Sequence, residues 1–505
     1  MTAATPASTR RLAIAAAAVT AVLLVLHLLA AAHLELMFDE AYYTLWSRHL
    51  AWGYYDHPPL IAAWIRASTV LFGDGAFGVR SLGIVATALG SVAVYTVARD
   101  VLEDARTALL AVLLWNATPL IGIGAILATP DTPLVFGWTT ALWGLGRLYR
   151  TGDWRWWLLI GTATGVALEA KYTALFIGPG LVLAMLVVRS LRRWWTHPGP
   201  YVGGVVALAL FAPNIVWNAE HGWETFAKQF GRVANVEYTL RYVVEFAGGQ
   251  FGLFGPLTFV LAVVGVMGAV RGCGDKRDEG RRLLLSQIVP LLAYFLIHST
   301  HDRVQPNWLA PLYPPLAILA ADAAVNALPT AAWTRRLVQF ARHWAVPLGL
   351  TLTGLVYTQA LLAPASWPAR SDPTALLFGW RKLATDVIDI ARAEGAGYIL
   401  TQGYALNSLL QVNGTGGPPV LQYNERARWT FAPVEKEPDA TRAGLFVVEV
   451  RRADDPEPRD RFAVVREVAR LDRLSRSGAV AETYVVYRLE RPKRPILDAD
   501  DVPFH

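Results

Sequence analysis

Long apolar blocks separated by short polar connections make up the first three-quarters of the chain. The blocks fall at 12–32, 80–98, 108–128, 132–149, 156–170, 173–188, 201–217, 252–270, 283–297, 308–321 and 344–363. Most approach the ~20 residues that carry a helix across a bilayer, so the pattern predicts about eleven spans. The stretch 156–188 reads as a hairpin of two short spans. Arg155 and Arg189 flank it, and Lys171-Tyr172 marks its tip. Between the first two blocks, 40–52 and 60–72 have amphipathic helical patterns too short to cross. Pro58-Pro59 separates them and Gly73-Asp74-Gly75 ends the second. Two helices lying along the membrane surface in the first external loop are expected.

After residue 363 the pattern changes. Pro364, Pro368 and Pro373 read as a linker, and 380–394 as an amphipathic helix stopped by Gly395. Short apolar runs at 398–401, 419–422, 445–450 and 483–489 read as strands. The expected architecture is therefore a polytopic α-helical membrane domain, 1–363, followed by a soluble α/β domain, 364–505.

Composition agrees with this division. Of 505 residues, 54% are hydrophobic and 17% charged, too few charges for a large soluble core. The net charge of +6 arises largely from arginines between apolar blocks. Arg10/Arg11, Arg99/Arg106, Arg150/Arg155, Arg189/Arg192/Arg193, Arg271–Arg282 and Arg335/Arg336 all fall on one side. The positive-inside rule makes that side cytoplasmic. An odd number of spans then puts the C-terminal domain outside. The expected location is the inner (plasma) membrane of a bacterium. No basic groove or aromatic–basic module suggests nucleic acid. The single cysteine, Cys273, excludes an intrachain disulfide.

The candidate chemistry lies on the external side. Phe38-Asp39-Glu40 and Tyr55-Asp56-His57-Pro58-Pro59 follow the first span, and Thr129-Pro130-Asp131 returns to the same face. Ionisable groups at the mouth of a membrane domain commonly serve function. Their ordinary alternatives are a solvated flanking acid, a turn-capping Asp56–His57 pair, and a helix-start Asp131. A carboxylate can take the proton of an attacking hydroxyl. A phosphate leaving group needs no acid, only cations or hydrogen-bond donors around its charge. Asp39 and Glu40 are the candidate bases; His57, Lys171 and Arg303 are candidate phosphate contacts. Asp56–His57 is compatible with a divalent metal, but two ligands are too few to define a site. No other cofactor is indicated.

These motifs, with Ala170-Lys171-Tyr172, Trp217-Asn218-Ala219-Glu220-His221-Gly222-Trp223 and Arg303-Val304-Gln305-Pro306-Asn307-Trp308, together resemble bacterial GT-C glycosyltransferases. More narrowly, they resemble the family that includes protein O-mannosyltransferases and lipid A aminoarabinose transferases. The resemblance implies a polyprenyl-phosphate-linked sugar as donor, a glycan, lipid or protein hydroxyl as acceptor, and inversion at the sugar carbon. It implies Asp39 as base and Asp131 as a second site acid, with Asp56, His57, Lys171, Tyr172, Arg303, Gln305 and Asn307 on the substrate side. His57 and Tyr42 depart from the lysine and arginine that the aminoarabinose transferases carry there. The alternative from another class is a transporter or flippase of a lipid-linked glycan. It would want ionisable groups near the midplane and paired broken helices in related halves.

Overall fold

The computed structural model describes residues 6–231, 238–272, 274–327, 331–368, 371–432, 437–453 and 457–497. Cys273 lies outside them. The chain forms two compact units by packing. The first comprises Met1–Leu28, His57–Ile61 and Leu82–Gly354; the second comprises Leu29–Asp56, Ala62–Ser81 and Leu355–His505. Two segments of the first third of the chain therefore belong with its C-terminal part.

The first unit is helical. Helix α1 (Pro6–His33) enters it and α4 (Ala76–Leu102) continues through it. Among the described residues of the whole chain, five helices are long and apolar enough to cross a membrane. They are Thr9–His33, Ala76–Leu102, Gly199–Glu220, Pro306–Asn326 and Ala332–Leu362. The number rises to eight if each of three bent pairs, such as Arg241–Phe254 with Pro256–Arg271, is one span. Each of the eleven apolar blocks carries helix, but several of these helices are short, among them Ala105–Ala117 and Trp156–Leu168. The break expected within 156–188 is present: Trp156–Leu168 ends, and a new helical stretch begins at Tyr172.

Small residues set the packing. Gly161 and Gly165 share one face of Trp156–Leu168, and Gly203 and Ala207 share one face of Gly199–Glu220. A side chain on Gly161 would strike the Gly203 backbone, and one on Gly165 would press on Ala207. Such small-residue stripes let helix backbones approach closely where no hydrophobic effect separates helix from lipid. The core of the unit includes Trp115, Trp138, Leu145, Leu284 and Ile318.

The second unit holds a five-stranded sheet in the order β2-β1-β3-β5-β4. The strands are β1 (Tyr398–Thr401), β2 (Val420–Gln422), β3 (Gly444–Glu449), β4 (Phe462–Leu474) and β5 (Val480–Pro492). β1 pairs in parallel with β2 and β3; β5 runs antiparallel to β3 and β4. Ile399, Leu445 and Val447 on one face pack with helices Trp380–Ala393 and Tyr404–Asn413. Leu400, Phe446 and Val485 alternate onto the other face. Gly379, at φ 84°, begins Trp380–Ala393, and Gly395, at φ 64°, follows its end.

Both short helices of the first loop are present, α2 (Phe38–Arg48) and α3 (Leu60–Phe72). α3 keeps an exposed apolar edge at Val70 and Leu71, as a surface-lying helix would. α2 does not match that expectation. Every residue from Glu40 to Ser47 is buried, and Ala41 joins the core beneath the sheet. α2 is an internal helix, because Tyr42 and Trp46 interleave with aromatic side chains from beyond residue 400, and Tyr43 packs on Trp46.

Candidate active site

Asp39 occupies the first turn of α2, where the helix dipole favours a carboxylate. Its Oδ1 accepts a hydrogen bond of 3.0 Å from the Tyr404 hydroxyl. Tyr404 opens the helix that directly follows β1. Arg428 lies in the 3-10 turn Arg426–Trp429, shortly after β2. Its Nη1 donates to both oxygens of Asp56 at 2.7 Å, and its Nε to Glu425 at 2.7 Å. The guanidinium sits 4.7 Å from the centre of the Tyr404 ring, a cation–π contact. The Tyr42 hydroxyl lies 3.0 Å from both Asp56 Oδ2 and the Arg428 carbonyl, which share its one proton. Trp46 stacks on Tyr54 at 4.1 Å and meets Tyr42 edge-on at 4.9 Å, closing the aromatic wall.

This setting moves the protonation of Asp39. Burial pushes its carboxyl up to about 6, against a downward pull from the Tyr404 hydrogen bond. The negative charges of Asp56 and Glu40 raise it further, and Arg428 lowers it. A carboxylate that exchanges its proton near neutral pH suits general-base work.

Glu40 has a different fate from the expected one of a base. Adjacent helix positions diverge by about 100°, and Glu40 turns away from Asp39. Its carboxylate receives Arg80 Nε at 2.8 Å and Nη2 at 2.6 Å, with both side chains fully buried. It also caps α2 through the Met37 N–H. Arg80 further donates to the Leu34 and Glu35 carbonyls. Glu40 is therefore a structural anchor. Asp56 is likewise held by Arg428 and Tyr42, which makes it a scaffold for the site rather than an open ligand. His57 follows it, half-buried.

In the first unit, Asp131 begins the helix Asp131–Thr151. Its Oδ1 lies 2.7 Å from Lys171 Nζ, and Asn307 donates to its Oδ2 at 2.6 Å. Lys171 also lies over Trp308, 5.5 Å from the ring centre. Asp131 and Asn307 line a cavity of about 170 Å³ with Thr129, Trp115 and Phe136. Three of the residues singled out from sequence thus meet. Tyr172 faces elsewhere, bonded to Asn214 and Asn218 and stacked on Phe226 at 4.5 Å. Arg303 is not a free phosphate contact. It is exposed and pairs with Glu245 at 2.8 Å. Gln305 is exposed, at the start of the turn Pro306–Leu312. Among the described residues, no group of three His, Cys, Asp or Glu side chains could hold a metal ion.

Sequence reading passed over Tyr404 and Arg428. A signal was present: both follow the carboxyl ends of parallel strands, where α/β sheets place their functional side chains.

Residues 56–217 match the family model described as dolichyl-phosphate-mannose-protein mannosyltransferase. Lipid A galacturonosyltransferase RgtD of Rhizobium johnstonii is 28% identical over 291 residues, 56% of this chain and 59% of that protein. An undecaprenyl phosphate-alpha-4-amino-4-deoxy-L-arabinose arabinosyl transferase of Pseudomonas aeruginosa is 28% identical over 54% of this chain and 51% of its own length. The match thus spans little more than half of each relative. The crystal structure of ArnT from Cupriavidus metallidurans bound to undecaprenyl phosphate superposes with a TM-score of 0.64. It covers 96% of this chain and 99% of that one at 18% identity. The chain shares the fold of that structure. The likeness extends through the C-terminal sheet as well as the helices, since nearly the whole of both chains superposes. Asp131, Lys171 and Tyr172 fall within the stretch matched by the family model, and Asp56 and His57 open it. Asp39 lies before it.

Proposed function

We propose that this protein is a membrane glycosyltransferase of the GT-C class. It moves a sugar from a polyprenyl-phosphate donor to an acceptor hydroxyl on the external face. Asp39 takes the acceptor proton as the new oxygen–carbon bond forms on the sugar. The bond from that carbon to the phosphate oxygen breaks, and the polyprenyl phosphate leaves with its electron pair. Attack opposite the leaving group inverts the sugar carbon. The observation that carries this reading is Asp39 itself, a half-buried carboxylate with a proton affinity near neutrality in an aromatic wall. The relatives are named for galacturonosyl transfer to lipid A and arabinosyl transfer from undecaprenyl phosphate, which supports the donor class. In the first unit, Lys171 and Asn307 are the donors suited to an anionic ligand. Within this reading the chain crosses eleven times, with its N-terminus inside and residues 364–505 outside.

The test is sugar transfer in proteoliposomes, with labelled polyprenyl-phosphate sugars and wild-type protein beside Asp39→Asn. The expected result is transfer by wild type and a loss of at least a hundredfold in the variant, the usual scale of general-base catalysis at about 10²–10⁴. Lipid-linked sugar that crosses the bilayer untransferred, equally in both proteins, would replace the enzyme with a transporter.

A further inference from the structure

Asp39 has one anchored oxygen. Oδ1 accepts from Tyr404, and among the described residues no partner is found for Oδ2. A base held in this way presents a single oxygen to its substrate, and its orientation depends on the donor that fixes the other. That donor is itself fixed. The Tyr404 ring lies under the Arg428 guanidinium at 4.7 Å, against Tyr42 at 5.1 Å and edge-on to Phe38 at 6.3 Å. Arg428 is in turn immobilised by its two-oxygen grip on Asp56 and its bond to Glu425, with only 15% of its side chain exposed. Asp56 is seated by Tyr42, one helical turn from Asp39 on the same helix. The chain of contacts therefore starts and ends on α2 and passes through two residues from beyond residue 400.

We infer that Tyr404 is a positioning residue for Asp39, and that Arg428, through Asp56 and the Tyr404 ring, holds Tyr404 in register. The C-terminal sheet then completes the catalytic carboxylate: the loops after β1 and β2 set its orientation and its readiness to accept a proton. This rests on the proposal that Asp39 is the base. A purely structural Tyr404 would act through its ring, which phenylalanine replaces; a positioning Tyr404 acts through its hydroxyl.

The charged and titratable groups whose fields reach Asp39 are Glu40, turned toward Arg80, and Tyr43 on its own helix, Asp56 from the following loop, and Tyr404 and Arg428 from the sheet loops. Tyr404→Phe removes only the hydroxyl, a donor that favours the charged carboxylate, so proton affinity rises. Arg428→Gln removes a favourable charge and frees Tyr404, with the same sign. The readout is the pH dependence of carbodiimide modification of Asp39 in the full-length detergent-solubilised protein, followed by peptide mass spectrometry. Only the protonated acid reacts. Wild type is expected to titrate with a midpoint near 6. Tyr404→Phe is expected to shift it upward by about one unit, the scale of one hydrogen bond to a charged group. Arg428→Gln is expected to shift it upward too, and Arg428→Lys to recover part of that shift. In transfer assays the acidic limb of kcat for Tyr404→Phe should move upward with the midpoint. An unmoved midpoint in Tyr404→Phe, in protein that melts like wild type, overturns the inference. A moved midpoint with no transfer by any form, wild type included, upholds the link between Tyr404 and Asp39 and instead sinks the glycosyltransferase reading.

Discussion

The carboxyl of Asp39 carries a stability cost that its function would require. Its folded-state affinity for protons is raised to about 6, above the ordinary carboxylate value of 3.8. Between those values the folded chain binds more protons than the unfolded chain, so stability falls as pH rises from about 4 to about 6. Above that window the loss is constant. Asp39→Asn removes it. The variant should therefore be more stable than wild type at pH 7–8, by about 1–2 kcal/mol after allowance for solvent screening. Its advantage should close as pH falls toward 4. Thermal melts of both proteins across this range check the sign, and a variant less stable than wild type at pH 8 would contradict the burial argument. The same titration sets the pH dependence of the proposed transfer. Activity should rise through an acidic limb near pH 6 and level off above it, because only the ionised base accepts a proton.

At the scale of elements, the neighbouring acid is used for building. Glu40 and Arg80 tie the start of α2 to the start of α4 in a fully buried pair. Removing one partner leaves a buried charge uncompensated, so Glu40→Gln or Arg80→Met should each cost about 3–5 kcal/mol. The double variant Glu40→Gln/Arg80→Met should cost less than the sum of the two, which a double-mutant cycle by denaturant unfolding measures. Sequence made the two acids look alike; only the path of α2 separates them. Local patterns did reveal the short helices of the first loop, the break at Lys171, and four of the five strands. They failed at β4, where Arg466, Glu467, Arg470 and Arg473 interrupt the apolar alternation of a half-exposed strand. They failed also for Tyr404 and Arg428, whose partners lie 365 and 372 residues away along the chain. Contacts of that range leave no periodic trace. The glycine stripe is a further element-scale test. Gly161→Val places branched carbons against the Gly203 backbone, and overpacking of this kind costs about 1–3 kcal/mol. Gly178→Val, where the added carbon meets nothing, should be nearly silent in the same melting assay.

For the molecule as a whole, the decisive question is which compartment each end of the helices faces. Within the first unit the basic loops converge. Glu103 pairs with both Arg150 and Lys276, Arg277 and Arg281 grip Asp322 at 2.6 and 2.7 Å, and Ser190 bonds Glu279. Residues from five connections, far apart in sequence, thus share one end of the helical unit. Asp131 sits at the other end of the helix Asp131–Thr151. Its 21 residues correspond to a length of ~30 Å, the thickness of a bilayer core. The positive-inside rule assigns the side on which arginines collect to the cytoplasm, and the proposed topology follows it. Under that rule the proposed topology places Asp131, Lys171 and Asn307 at the external face, where the proposed lipid-linked donor would be met. The native chain supplies a probe for this, since its one cysteine, Cys273, lies between Arg271 and Lys276. A membrane-impermeant maleimide should leave Cys273 unlabelled in intact spheroplasts and label it after permeabilisation. With Cys273→Ser as background, Ser477→Cys, in the turn between β4 and β5, should label without permeabilisation. The opposite pattern would put the carboxylates on the side of nucleotide sugars and remove the reason for a lipid-phosphate donor.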